Sequence, residues 1–127
     1  MSEARLALGR WGEDEAVHYL RCRGMKIIEQ NYRAPVGEVD IIARDKKDLV
    51  FVEVKTRRSQ QFGTPQEAVG ARKQRQIIRT AQWYLSENKT GKLQPRFDVV
   101  AVMSGSDGGD AQIEHLVDAC SLDSLEN

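Results

Sequence analysis

Apolar and polar positions along the chain follow two rhythms, one with the spacing of a helix and one with that of a strand. Over residues 3–23, Leu6, Gly9, Gly12, Ala16, Val17 and Leu20 share one helical stripe, and Gly24 follows as a C-terminal stop. Residues 25–33 read as a strand centred on Ile27 and Ile28, and Pro35 with Gly37 marks the turn after it. The run from Gly37 to Arg57, GEVDIIARDKKDLVFVEVKTR, predicts two strands joined by a polar turn at Asp45, Lys46, Lys47 and Asp48. In its second strand Val50, Val52, Val54 and Thr56 point one way, and Leu49, Phe51, Glu53, Lys55 and Arg57 the other. In its first strand Glu38, Asp40 and Ile42 share one face, and Val39, Ile41 and Ala43 the other.

Past a polar loop (SQQFG), Thr64-Pro65-Gln66-Glu67 matches a capping box with proline at the first helical position. The main second helix is expected at residues 71–87, with Ile77, Ile78, Ala81, Tyr84 and Leu85 as its buried stripe. Gln74 projects near the centre of that stripe and Lys73 at its edge, while Arg72, Arg75 and Arg79 lie around the exposed side. Residues 96–103 form another apolar strand. A strand–helix–strand crossover sets it parallel to the strand carrying Glu53. Ile113 to Val117 can close an edge hairpin. The pattern is an α/β one: an αβββαβ core with a mixed sheet flanked by helices.

The 127 residues suit one domain, expected over residues 1–120, with a frayed acidic tail at 121–127. No apolar run approaches a membrane span or a signal peptide. Cys22 and Cys120 make no metal spacing with His18 or His115, and reduced thiols in the cytoplasm are the expectation. Net charge is zero, but its distribution is uneven. Residues 55–96 hold ten Lys or Arg against Glu67 and Glu87, whereas residues 97–127 hold seven acidic groups and no Lys or Arg. That asymmetry fits a polyanion-facing side, or a solvated helix face.

If the hairpin brings the Asp40 and Glu53 faces together, two carboxylates and the Lys55 ammonium converge on one patch. Such a set suits a hard divalent cation and a polarised water; it also suits an ordinary cross-strand charge pair. Each flanking helix adds a polar group on its inward stripe. Glu13 sits near the middle of the first stripe, where an ionised carboxylate needs a positive partner, and Gln74 is the second. Asp98, at a strand start, is expected to pair with an arginine.

Helix, three strands, helix, strand, with Asp40 followed by Glu53-Val54-Lys55, resembles the PD-(D/E)XK nuclease superfamily. Within it the chain resembles the YraN-type bacterial family, which is similar to archaeal Holliday-junction resolvases. The resemblance spans roughly residues 5–118. It rests on Gly9, Gly12-Glu13, Ala16 and Leu20, on Gly37-Glu38-Val39-Asp40, on Phe51 to Arg57, and on Arg96-Phe97-Asp98-Val99-Val100. Two departures are visible: Val39 stands where the motif's proline precedes the aspartate, and Gln74 lacks a tyrosine three residues on.

The resemblance implies that Asp40 and Glu53 ligate Mg²⁺ or Mn²⁺ with the Val54 carbonyl, and that Glu13 is a further ligand or flanks one. It implies that Lys55 orients or deprotonates the attacking water, and that Gln74 is a subsidiary polar group. The function implied is a DNA endonuclease acting on branched or junction DNA, as a homodimer and without an organic cofactor. Arg57, Arg58, Arg72, Lys73, Arg75 and Arg79 are the expected phosphate contacts. A non-catalytic nucleic-acid or protein-interaction module on the same fold is the alternative.

Overall fold

The computed structural model describes residues 3–57, 70–104 and 111–119. The elements are α1 (Glu3–Cys22), β1 (Lys26–Ala34), β2 (Gly37–Asp45), β3 (Asp48–Arg57), α2 (Ala71–Glu87), β4 (Gln94–Met103) and β5 (Gln112–Leu116). The capping box at Thr64–Glu67, the loop before it, Arg58, Cys120 and the acidic tail fall outside the described residues.

α1 ends as its glycine requires. Gly24 takes φ 90°, its N–H donates to the Arg21 carbonyl, and the Met25 N–H donates to the Leu20 carbonyl. These two bonds satisfy carbonyls that the last turn leaves open, and only a residue free of Cβ strain reaches that φ cheaply. β1 then pairs antiparallel with β2, with a register shift between Ile27 and Glu29. The shift explains why the two adjacent isoleucines do not both pack inward: Ile27 joins the core, and Ile28 is exposed. β2 and β3 form the expected hairpin, closing at Asp45 opposite Asp48 around Lys46, whose φ is 55°.

The strand order is β1-β2-β3-β4-β5, with β3 and β4 parallel and the other pairs antiparallel. A parallel neighbour cannot be reached by a tight turn, so α2 must travel back across one face of the sheet. Among the described residues, one helix covers each face. Ala16, Val17 and Leu20 of α1 pack on Ile41, Ala43, Val50, Val52, Val54, Val100 and Val102. Ile77, Ala81 and Tyr84 of α2 pack on Val39, Ile42, Leu49, Phe51, Phe97 and Val99. β3 lies centrally and is buried on both faces from Leu49 through Val54. Burying most of these aliphatic side chains contributes about 1.5–3 kcal/mol each.

Two departures from strict patterning matter. Leu6 is exposed, and a Cβ on Gly9 would meet nothing, so close approach of α1 rests on Gly12 alone. A Cβ there would fall 2.7 Å from Thr56 Cγ2 and 2.9 Å from Thr56 Cβ. Gly12→Val is therefore expected to lose about 2 kcal/mol or more through overpacking. It should appear as a lower urea midpoint at unchanged m value; an unchanged midpoint would show that α1 does not seat on Thr56. Val39, the second departure, joins the α2-side core rather than the α1 side that alternation assigns. The pleat is broken beside it, where the β2–β3 ladder stops at Ile41 opposite Val52.

Candidate functional site

The break in the ladder creates the site. Past the Ile41–Val52 pair no backbone partner continues from β2 to β3, and the Asp40 side chain takes over. Its Oδ2 accepts the Val54 N–H at 2.8 Å. The acid of β2 is thereby pinned against the Glu53-Val54-Lys55 segment of β3. Alternation sends Val54 into the α1-side core and leaves Glu53 and Lys55 on the α2 side, with Lys55 Nζ 3.7 Å from Glu53 Oε1.

The electrostatics of this pair are unbalanced. Glu53 is 5% exposed, and its Oε2 is buried without any hydrogen-bond partner. Burial, and then the charge of Asp40, push the Glu53 carboxyl up from 4.5 to about 7, with Lys73 and Lys55 opposing. Burial also raises Asp40; the Val54 N–H, Lys73 and Lys55 counteract it, while Glu38 adds to it. Two ammonium groups therefore do not offset the burial of either acid. Buried acids in this condition gain from one more positive charge.

Lys73, expected among the phosphate contacts, instead acts on the carboxylates, and it outweighs Lys55 at both. Its Nζ donates to Gln76 Oε1 at 3.0 Å. Gln76 is in turn seated against Gly37, whose Cβ, were there one, would lie 2.6 Å from Gln76 Cγ and 2.7 Å from Thr80 Oγ1. Only glycine allows the β1–β2 turn to meet α2 this closely, and Gly37 also has φ 153°. The turn and α2 together line an open cavity of about 330 Å³ with Arg33, Pro35, Glu38 and Gln76 on its walls.

Glu13 reaches the Asp40 side of the group. Its carboxyl is raised by burial first, then by Asp40, Asp14 and Glu38, against a single hydrogen bond from Asn31 that favours ionisation. Among the described residues, no three His, Cys, Asp or Glu side chains close into a metal-holding cluster. The carboxylates that could meet a cation here are Asp40 and Glu53, with Glu13 on the Asp40 side. These are hard oxygen donors, and the unpartnered Glu53 Oε2 is what a divalent cation would satisfy, so the residues fit Mg²⁺ or Mn²⁺.

Of the other expected site residues, Arg72, Arg75 and Arg79 are exposed along α2, and Gln74 is half-buried in its first turn. Arg57 ends β3 and donates from Nη1 to the Thr56 carbonyl at 3.2 Å. Sequence reasoning missed Asn31, Gln76 and the space-limited Gly37. An Asn within a strand run was the one visible signal, because Asn is a poor strand former that tolerates left-handed backbone.

A second buried acid serves a different purpose. Asp98 is fully buried and accepts from Arg96 Nε and Nη2 (both 2.9 Å), the Asp118 N–H (2.9 Å) and His115 Nε2 (2.7 Å). Arg96 also reaches Asp45 at 3.2 Å and Asp48 at 2.8 Å. The expected arginine pairing of Asp98 is present. His115 is no ordinary surface group: its other nitrogen meets the Tyr19 hydroxyl of α1 at 3.2 Å. Burial alone would raise the Asp98 carboxyl, but its bonds to His115, Arg96 and Asp118 prevail and lower it. Cys22 is an exposed free thiol, and no helix is long and apolar enough to cross a membrane.

Comparison with known proteins gives the chain its relatives. The family described as uncharacterised protein family UPF0102 matches residues 12–102, which includes Glu13, Asp40, Glu53, Lys55 and Asp98. The UPF0102 protein of Syntrophotalea carbinolica is 59% identical over 123 residues, covering 97% of this chain and 98% of that protein. That of Rhodococcus opacus is 53% identical over 114 residues, covering 90% and 96%. That of Desulfosudis oleivorans is 44% identical over 119 residues, covering 94% and 96%. With a match over most of its length, the chain belongs to the UPF0102 family.

Proposed function

We propose that this protein is a divalent-metal-dependent DNA endonuclease of the PD-(D/E)XK type that hydrolyses phosphodiester bonds, with branched or junction DNA as its substrate. One observation carries the reading: Glu53 is buried beside Asp40 with one carboxylate oxygen unpartnered, and its ionisation is resisted. A purely structural ion pair would be neutralised and fully hydrogen-bonded, as Asp98 is.

Asp40 and Glu53 would hold Mg²⁺ or Mn²⁺, together with the Val54 carbonyl, and Glu13 would flank them. The chemistry such an ion supplies is Lewis-acid stabilisation of charge building on the phosphoryl group. Lys55, on the same face as Glu53, orients the attacking water and opposes the negative charge of the transition state. Arg57, Arg58, Arg72, Arg75 and Arg79 neutralise backbone phosphates and set register without reading sequence. A two-fold symmetric junction suits a homodimer.

The test is to incubate purified protein with four-way-junction and linear duplex DNA, in Mn²⁺ or in chelator. Metal-dependent strand scission that disappears in Lys55→Ala supports the proposal. Equal cutting by Lys55→Ala points to a contaminant. A second reading, a non-catalytic binding module on this fold, draws on Lys55 and Lys73 already facing the carboxylates. It predicts junction binding with neither turnover nor metal dependence.

A further inference from the structure

α2 is charged in a way that does not stabilise a helix. From Ala71 to Ser86 it holds Arg72, Lys73, Arg75 and Arg79 and no Asp or Glu. Cations near a helix start oppose the dipole, and neither an acid in the first turn nor a side-chain cap offsets them. Arg75 also repels Arg72 and Arg79, three and four residues away. All three arginines are exposed, and among the described residues none of them meets a carboxylate. A polyanion laid along the helix relieves each of these costs.

The face also has a shape. At 3.6 residues per turn, Arg72, Gln76, Arg79 and Trp83 fall in a stripe about 60° wide and roughly 16 Å long. It lies away from the buried Ile77, Ala81 and Tyr84. Trp83, at the far end, is 37% exposed and follows Arg79 by one turn. Toward the other end Gln76 lines the 330 Å³ cavity, where Pro35 and the exposed Val36 form an apolar wall beside the Arg33–Glu38 pair. Gln76 Oε1 accepts from Lys73, which leaves its amide NH₂ to donate. Glu38 stands two residues before Asp40 in β2, so the cavity adjoins the carboxylate site. An open aromatic plane among guanidinium groups suits an unstacked base, because every base has a π-face. A duplex keeps those faces inside its own stack; an unpaired strand presents them.

We propose that the cavity and the outer stripe of α2 form one track for single-stranded DNA: the cavity takes an unpaired base next to the carboxylate site, Arg72 and Arg79 meet phosphates, and Trp83 stacks on a base further along. The substrate is then a branched DNA with an unpaired strand at the branch. That last step rests on the nuclease reading above; the binding of single strands does not.

Binding is measured on the full chain in chelator, by anisotropy of a labelled oligothymidylate and of a duplex of equal length, so that it is read apart from cleavage. Trp83→Ala is expected to weaken the single strand roughly 10-fold, as loss of one base–aromatic stack does, and to leave the duplex unchanged. Trp83→Phe keeps a π-face and should recover most of the loss. Arg72→Gln and Arg79→Gln should each lower the slope of log affinity against log salt by about 0.7, the single-strand value per phosphate. In a Trp11→Phe background Trp83 is the one tryptophan left, and its emission should be quenched as the oligonucleotide binds.

Parent-like single-strand affinity in Trp83→Ala overturns the track, as does unquenched emission. An equal loss on the duplex overturns it too, and makes the face a duplex site. Single-strand binding as expected, without metal-dependent cutting of junction DNA, overturns the nuclease reading and leaves the track standing. Metal-dependent cutting by a protein whose Trp83→Ala variant binds single strands like the parent does the reverse.

Discussion

Glu53→Gln is expected to give a metal-free protein that is more stable at pH 8 and that no longer cuts DNA. The ordinary carboxyl of the unfolded chain loses its proton near 4.5, whereas the folded one keeps it to about 7, through burial first and the Asp40 charge second. Between those values the folded state binds more protons than the unfolded, so stability falls as pH rises and the loss is complete above about pH 7. The shift corresponds to a loss on the order of 3 kcal/mol at pH 8. A neutral amide abolishes that penalty. Thermal melts from pH 5 to pH 8 should slope downward for the parent and run flatter for Glu53→Gln. Mn²⁺ should raise the melting temperature of the parent at pH 8, by mass action on the folded state, and leave the variant unmoved. On the proposed reading, cleavage should drop on the order of 10³-fold, since the replaced group would act where charge develops. A variant that is less stable than the parent at pH 8 would mean that Glu53 is a structural ion pair.

Asp98→Ala should do the opposite. The substitution strips Arg96 of two bonds and leaves the His115 ring nitrogen and the Asp118 N–H without an acceptor. Removing one partner from a buried charged set costs about 3–5 kcal/mol. In a domain of this size that is a fall on the order of 10–20 °C in melting temperature. The sign of the pH dependence is reversed too. Because the folded pKa of Asp98 is lowered, its contribution is present above the ordinary value of 3.8 and is lost as pH falls through the lowered one. Neutral-pH melting of Asp98→Ala decides the matter; a change of only a degree or two would show that the network holds little of the fold.

The two acids illustrate how buried charge sorts into structure and chemistry. Asp98 is met by three donor groups and is ionised more readily than in water, so it ties β4, β5 and the β2–β3 turn together. Glu53 is met by lysines that only partly offset its burial, and one of its oxygens has no partner. A residue held in a form its surroundings oppose, beside a second such acid, is the usual condition of a working site.

Much of this was readable in one dimension. The helices at Glu3–Cys22 and Ala71–Glu87 and the hairpin around Lys46 follow from periodicity and turn chemistry, which are local. Alternation placed Glu53 and Lys55 on one face, and the crossover through α2 made β3 and β4 parallel. The β1 bulge and the exposure of Leu6 were not readable, because each depends on where an element seats against its neighbour. Nor was the role of Lys73, one more cation on a basic helix by sequence, whose charge acts on Asp40 and Glu53 only once α2 packs on the sheet.

Local residue order decided which elements form, where they stop and which side chains share a face, because those depend on neighbours within a turn or a pleat. Only tertiary packing decided that the Asp40 carboxylate replaces a backbone acceptor for Val54, that the Lys73 charge acts on Asp40 and Glu53, and that Lys73 donates to Gln76. Those contacts join residues from 3 to 33 positions apart and depend on how closely helices meet the sheet, a distance that Gly12 and Gly37 set through the side chains they lack.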